Sequence, residues 1–174
     1  MKSVLTAAFA LGVLAGPAIA QEMPAPGAEQ ARIGYYEGTR NYQGEAMPSP
    51  MGPGGKIAMT ETCRWFEGGF HMICDSKGTS PTGPVSGHSV IGYDRAEQMY
   101  VMYGLNSRGE GYYVKGGIAG AVWTWTAEIM MESTPVKFRA IATEKSPTSY
   151  DFRLEASMGD ADWAVLEEGK ATKQ

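Results

Sequence analysis

Between residues 87 and 128, large apolar side chains arrive in short runs. The runs are Ser89-Val90-Ile91-Gly92-Tyr93, Met99-Tyr100-Val101-Met102-Tyr103, Gly111-Tyr112-Tyr113-Val114-Lys115 and Ala121-Val122-Trp123-Thr124-Trp125-Thr126. Turn residues separate them, and no stretch repeats apolar positions at helical spacing. Runs of this length bounded by turn signals predict β-strands. Elsewhere the alternation is strict. Tyr150, Phe152 and Leu154 oppose Asp151, Arg153 and Glu155, and Val136, Phe138 and Ala140 oppose Lys137 and Arg139. Such strands bury one face, as antiparallel sheets allow. In the meander both rows are apolar, so the pattern gives the alternation without saying which row faces inward.

Ten strands are predicted, near 33–42, 56–67, 70–77, 87–94, 98–104, 110–116, 120–128, 135–143, 149–157 and 162–171. Their short connections favour neighbours in sequence as neighbours in space. The expected fold is all-β, an antiparallel up-and-down β-barrel, since closure removes the exposed edges. Two Gly/Pro-rich stretches, 44–55 and 78–87, read as longer loops, either lids or plain surface.

The first twenty residues read as a secretory signal peptide. Lys2 precedes an apolar stretch at 4–14, and Ala18-Ile19-Ala20 forms a small-x-small cleavage site before Gln21. The expected location is therefore periplasmic or secreted. The apolar stretch is too short to span a bilayer, and no second one follows. Residues 21–31 read as a flexible leader, and 32–172 as one barrel domain. Losing Lys2 takes the formal charge from −4 to −5. A mildly acidic chain without a Lys/Arg cluster is not a nucleic-acid binder. No signal of oligomeric state is present.

Two cysteines in an exported chain predict one disulfide. Gly68-Gly69 suits a two-residue hairpin turn. Counting outward from it places Cys63 opposite Cys74, at the about 4.5–5.5 Å Cα separation that a disulfide accepts. The bridge is worth about 3 kcal/mol in the chain-entropy model. A redox or metal role for the pair is the alternative.

The chain resembles the bacterial domain of unknown function 1579 family. The likeness is carried by Gly34-Tyr35-Tyr36-Glu37-Gly38-Thr39, Cys63-Arg64-Trp65-Phe66-Glu67-Gly68-Gly69-Phe70, Ile91-Gly92-Tyr93-Asp94, the Gly109 turn, Lys115-Gly116-Gly117 and Ala161-Asp162-Trp163. It covers residues 32–172, and departs from the family pattern in the turn Gly159-Asp160-Ala161-Asp162. The resemblance implies a calycin-like, lipocalin-related barrel and no agreed activity.

Candidate chemistry is sparse. His71 and His88 are the two histidines, and a haem reading would need one of them to face the lumen. Met47, Met51 and Met59, with His71, suggest soft-ligand copper binding, against the reading of Met as adaptable filler. An Asp94–His88 dyad is the one acid–base pairing to test, and no nucleophile elbow or phosphate loop is present. No residue is assigned a catalytic role. Aromatic residues are the stronger clue, because small-molecule pockets are mostly apolar and aromatic. Trp65, Tyr93, Tyr100, Tyr103, Tyr113, Trp123 and Trp125 are the candidate ligand-binding residues. Glu61, Arg139 or Arg153 are candidates to orient a ligand. The leading expectation is an exported barrel that binds a small, largely apolar molecule. An envelope interaction protein without a ligand, or an enzyme using the barrel mouth, are the alternatives.

Overall fold

The computed structural model describes residues 25–131, 133–159 and 161–174; the expected signal peptide lies outside them. Ten strands form a closed antiparallel barrel in sequence order, with β1 pairing back onto β10. The strands are β1 (Gly38–Ala46), β2 (Gly55–Trp65), β3 (His71–Ser80), β4 (Gly83–Asp94), β5 (Met99–Asn106), β6 (Gly111–Ala119), β7 (Val122–Met131), β8 (Thr134–Ser146), β9 (Ser149–Met158) and β10 (Ala164–Lys173). The count and the up-and-down order are those the sequence predicts. No helix among the described residues is long and apolar enough to cross a membrane.

The chain enters differently from expectation. Residues 28–31, read as flexible leader, belong to a short helix α1 (Ala28–Ile33), and Gly34–Tyr36 form a 3-10 turn rather than the first strand. The Gly27 amide donates to Gln30 Oε1 at 2.8 Å, which closes the first turn. Ile33 and Tyr36 are buried. A run of six apolar and polar residues carries too little periodicity to reveal a helix that packing alone stabilises.

This entry segment plugs the barrel end from which β1 departs. Tyr36 meets Trp123 edge-on at 5.2 Å between ring centroids and Tyr150 at 5.8 Å. Trp123 also meets Tyr100 at 5.0 Å and lies parallel to Trp125 at 6.1 Å. Glu144 ties plug to wall: its Oε1 accepts from Arg32 at 2.5 Å and from Trp123 Nε1 at 2.7 Å. Arg40, fully buried, donates to the main-chain carbonyls of Tyr35 and Tyr36. A buried cation is tolerated here because carbonyl dipoles replace its water.

The disulfide hairpin folds as the turn residues dictate. Gly68 and Gly69 both adopt positive φ, and the pairing places Cys63 opposite Cys74, joined in a disulfide with Cα atoms 4.1 Å apart. The second expected loop is absent. Residues 78–87 are strand except for the Pro81 and Thr82 turn, because Gly78 serves close approach between strands rather than a break. The first loop shrinks to residues 47–54.

Across β1 and β10, Gly44 opposes Gly169. A Cβ on Gly44 would lie 2.4 Å from Glu168 O, and one on Gly169 2.3 Å from Gln43 O. Any side chain there collides with main chain, so this pair lets the sheet coil tightly enough to close.

Candidate functional site

Register and burial together sort the side chains into inner and outer rows. On β2 the inner row is Ile57, Met59, Glu61, Cys63 and Trp65, and on β9 it is Tyr150, Phe152 and Leu154. On β5, β6 and β7 it includes Tyr100 and Met102, Tyr112 and Val114, and Trp123, Trp125 and Ala127.

Along these rows the interior changes character. At the plugged end, Ile33, Tyr36, Met72, Ile91, Tyr100 and Trp123 join one buried cluster. Toward the other end, inner-row Met59, Phe138 and Leu154 are only half-buried and lie outside that cluster. Tyr112 and Ile129, also on inner rows, are 45% and 48% exposed. Side chains that point into a barrel and still meet solvent mark an open space. The barrel thus forms a shallow cup, packed solid below and incompletely filled above, where inner-row Ile57, Val136 and Ala156 are still buried.

The floor of the cup is polar. Tyr42 Oη donates to Glu61 Oε2 at 2.6 Å, and the Tyr150 hydroxyl is hydrogen-bonded to that of Tyr42. Glu61 and Tyr42 lie deep in the protein yet keep accessible surface, because they face the open space. Burial pushes the Glu61 carboxyl above its ordinary range, against the opposing pull of the Tyr42 hydroxyl and Arg40. Burial also holds the Tyr42 and Tyr150 hydroxyls above theirs, so both remain protonated donors. Nearer the mouth, burial raises the Glu167 carboxyl as well.

The charges of the open half are sorted by face. Among the described residues, its inner rows carry Glu61 and Glu167, with one cation, Arg40, opposite Glu61 at the boundary with the plugged half, while Lys56, Lys77, Lys115, Lys137, Arg139 and Arg153 stand on outer rows. Glu61 Oε, Cys63 Sγ and Cys74 Sγ lie within 4.8 Å of one another, but the disulfide occupies both sulfurs and leaves a single carboxylate.

The expected aromatic residues divide into three groups. Tyr100, Trp123 and Trp125 are buried in the solid half, and Trp65 and Tyr93 pack against the same cluster. Tyr103 and Tyr113 stack on the outer face at 4.6 Å, both exposed. Arg139 is also on the outside, paired with Glu155 and lying over the Trp163 ring at 4.2 Å. Arg153 pairs outside with Glu168 at 3.1 Å. Of the residues considered as orienting groups, Glu61 alone reaches the interior.

Neither histidine faces the lumen. His88 Nδ1 lies 2.7 Å from Asp75 Oδ1 on the outer surface, and His71 lies against Gly92 on the same face. A haem in the barrel would find no imidazole there among the described residues. Asp94 does not meet His88; its carboxylate caps the next turn, accepting from the Ala96 and Glu97 amides. Met47 and Met51 stand at the open end, His71 at the plugged end, and Met59 on an inner row, so the copper set is not assembled.

A concavity of about 940 Å³ lies mostly outside the lumen, on the saddle that Gly44 and Gly169 create. Its charged rim is balanced in sign, with Lys145 paired to Asp151, Arg153 to Glu168, and Glu45 opposite Lys56, so it carries no excess charge to recruit a ligand. A smaller cleft of about 410 Å³ lies between β6 and β7.

Comparison with known proteins agrees with this fold. A family model described as "Protein of unknown function (DUF1579)" matches residues 25–173, and the chain belongs to that family. No curated protein matches. The crystal structure of Rv2717c from M. tuberculosis is similar, with TM-score 0.61 at 8% identity, covering 85% of this chain and 98% of that one. A de novo designed fluorescence-activating β-barrel aligns with TM-score 0.44 at 18% identity, over 80% of this chain and 94% of that one. At 8% identity the likeness to Rv2717c concerns fold alone.

Proposed function

We propose that this barrel binds a small, largely apolar molecule in its open half. The carrying observation is that Tyr42 and Glu61, deep inside the protein, keep accessible surface beneath half-buried Met59, Phe138 and Leu154. Apolar walls with a few placed polar groups are the usual composition of a ligand pocket.

The inner charges narrow the ligand class. The inner rows of the open half carry two carboxyls, and the adjoining cation, Arg40 opposite Glu61, gives both Nη groups to main-chain carbonyls, so a buried anionic head group would meet like charge and a guanidinium already engaged. The fitting ligand is uncharged or weakly basic. Its hydroxyl or amine meets Glu61, with the Tyr42 hydroxyl already committed to that carboxyl. An exported location, which the N-terminal segment predicts and a disulfide suits, would place the protein where apolar molecules need a carrier through water.

The test is equilibrium titration with N-phenyl-1-naphthylamine, an uncharged apolar fluorophore, followed by displacement with a long-chain alcohol and with the matching fatty acid. Saturable binding, with the alcohol displacing at least about tenfold better than the acid, is the expected result. No saturable uptake of the fluorophore would overturn the reading, and preference for the acid would overturn the ligand class.

A further inference from the structure

We infer that the seam between β6 and β7 is a lateral portal through which the ligand enters and leaves the cup, an inference that rests on the binding reading above. The neighbouring interfaces stay paired close to the open end. On either side of β6 and β7, Leu105 still pairs with Gly111 and Met131 with Thr134. Between β6 and β7 the pairing stops at Lys115 and Thr126. Both strands continue, β6 toward its start at Gly111 and β7 to Met131, each held by its other neighbour only. Two bare strand edges thus face each other across a V-shaped opening, the feature that barrel closure otherwise removes.

The opening passes through the wall. One cleft is lined by Thr126, Glu128 and Lys137 from outer rows and by Ala127 and Phe138 from inner rows. A closed wall would keep these sets apart. The flanks are apolar, with Tyr113 on β6 and Trp163 across from it, so an apolar molecule crossing the bare edges meets rings rather than unpaired main chain. The base of the seam is fixed. Trp125 lies against Gly116, where a Cβ would come 2.5 Å from its ring, and Lys115 forms an ion pair with Glu97. The gap therefore opens toward the hollow half and ends where the solid half begins.

A portal sets rates, whereas the cup sets affinity. The test is stopped-flow binding of N-phenyl-1-naphthylamine to the wild type and to Glu128→Trp, an outer-row change that fills the seam and leaves the inner rows intact. Association and dissociation should both slow about tenfold or more, with Kd changed less than about threefold. Tyr113→Ala, which takes a ring off the outer flank of the seam, should speed both, and this keeps the test decisive if Glu128→Trp fails to fold. Met51→Trp, in the loop at the barrel end, should leave the rates unchanged. Slowing by Met51→Trp, with the seam variants unchanged, would overturn the portal and place entry at the end of the barrel. A wild type that takes up no probe would instead overturn the binding reading itself.

Discussion

Trp123 and Leu154 both point into the barrel, yet they occupy different kinds of interior. Trp123 is enclosed by Tyr36, Tyr100 and Trp125, and its indole N–H is used by Glu144. Leu154 stands half-buried between Ala140 and Glu167, outside the packed cluster. A barrel of this size is wider than its own inner side chains fill. The entry helix and the rings of Tyr36, Tyr100, Trp123 and Trp125 make up the deficit at one end, and buried Ile57, Val136 and Ala156 do so only in part at the other. Solidity below holds the wall in shape, and that allows the space above to stay open.

The sharpest way to break this comparison is to truncate on both sides of it. Trp123→Ala should cost about 3–5 kcal/mol in urea unfolding, the range for a large buried aromatic. Leu154→Ala should cost less than about 1 kcal/mol, since little packing is lost at a half-exposed site. Equal losses would mean that the interior is uniformly packed. Next in size, replacing Cys63 and Cys74 by Ala should cost about 2–4 kcal/mol. The bridge links two strands at the boundary between the halves, just below Glu61, so the fold should survive its loss while the floor loosens. Gly44→Ala should cost about 1–3 kcal/mol, because the new methyl would meet Glu168 main chain rather than a yielding side chain.

The smallest effect is the most specific to the floor. Burial raises the Glu61 carboxyl in the folded state. The folded protein therefore keeps that proton at pH values where the unfolded chain has lost it. The penalty for Glu61 is absent below the unfolded carboxyl range, and it grows as pH rises through the folded value. Glu61→Gln should thus unfold with the wild type near pH 4 and at higher urea than the wild type near pH 7.5. A pH-independent difference would show that Glu61 does not titrate in a buried setting.

Much of this architecture is legible in the chain. Strand number, order and the Cys63–Cys74 register follow from turn residues and alternation, which are local properties. Inside and outside are not local. Tyr100 and Tyr103 sit in one apolar run, and only the pairing of β5 with its neighbours sends the first into the core and the second to the surface. That is why Tyr103, Tyr113 and Arg139, chosen for their residue type, fall on the outer face. Glu61 carried a usable signal. Its row, Met59, Cys63 and Trp65, is apolar, while Thr60, Thr62 and Arg64 are not, so the alternation alone points it inward. The entry helix carried none, because Ile33 and Tyr36 are fixed by what they cap rather than by a repeat of their own.

The most direct measurement fills the space that the account says is empty. Leu154→Trp adds an indole to the open half, and two readings decide the matter: urea stability and titration with N-phenyl-1-naphthylamine. In a hollow interior the added volume should change stability by less than about 0.5 kcal/mol and abolish probe binding. In a filled one, overpacking should cost about 1–3 kcal/mol. A loss of that size would contradict the cup, as would probe affinity unchanged from the wild type.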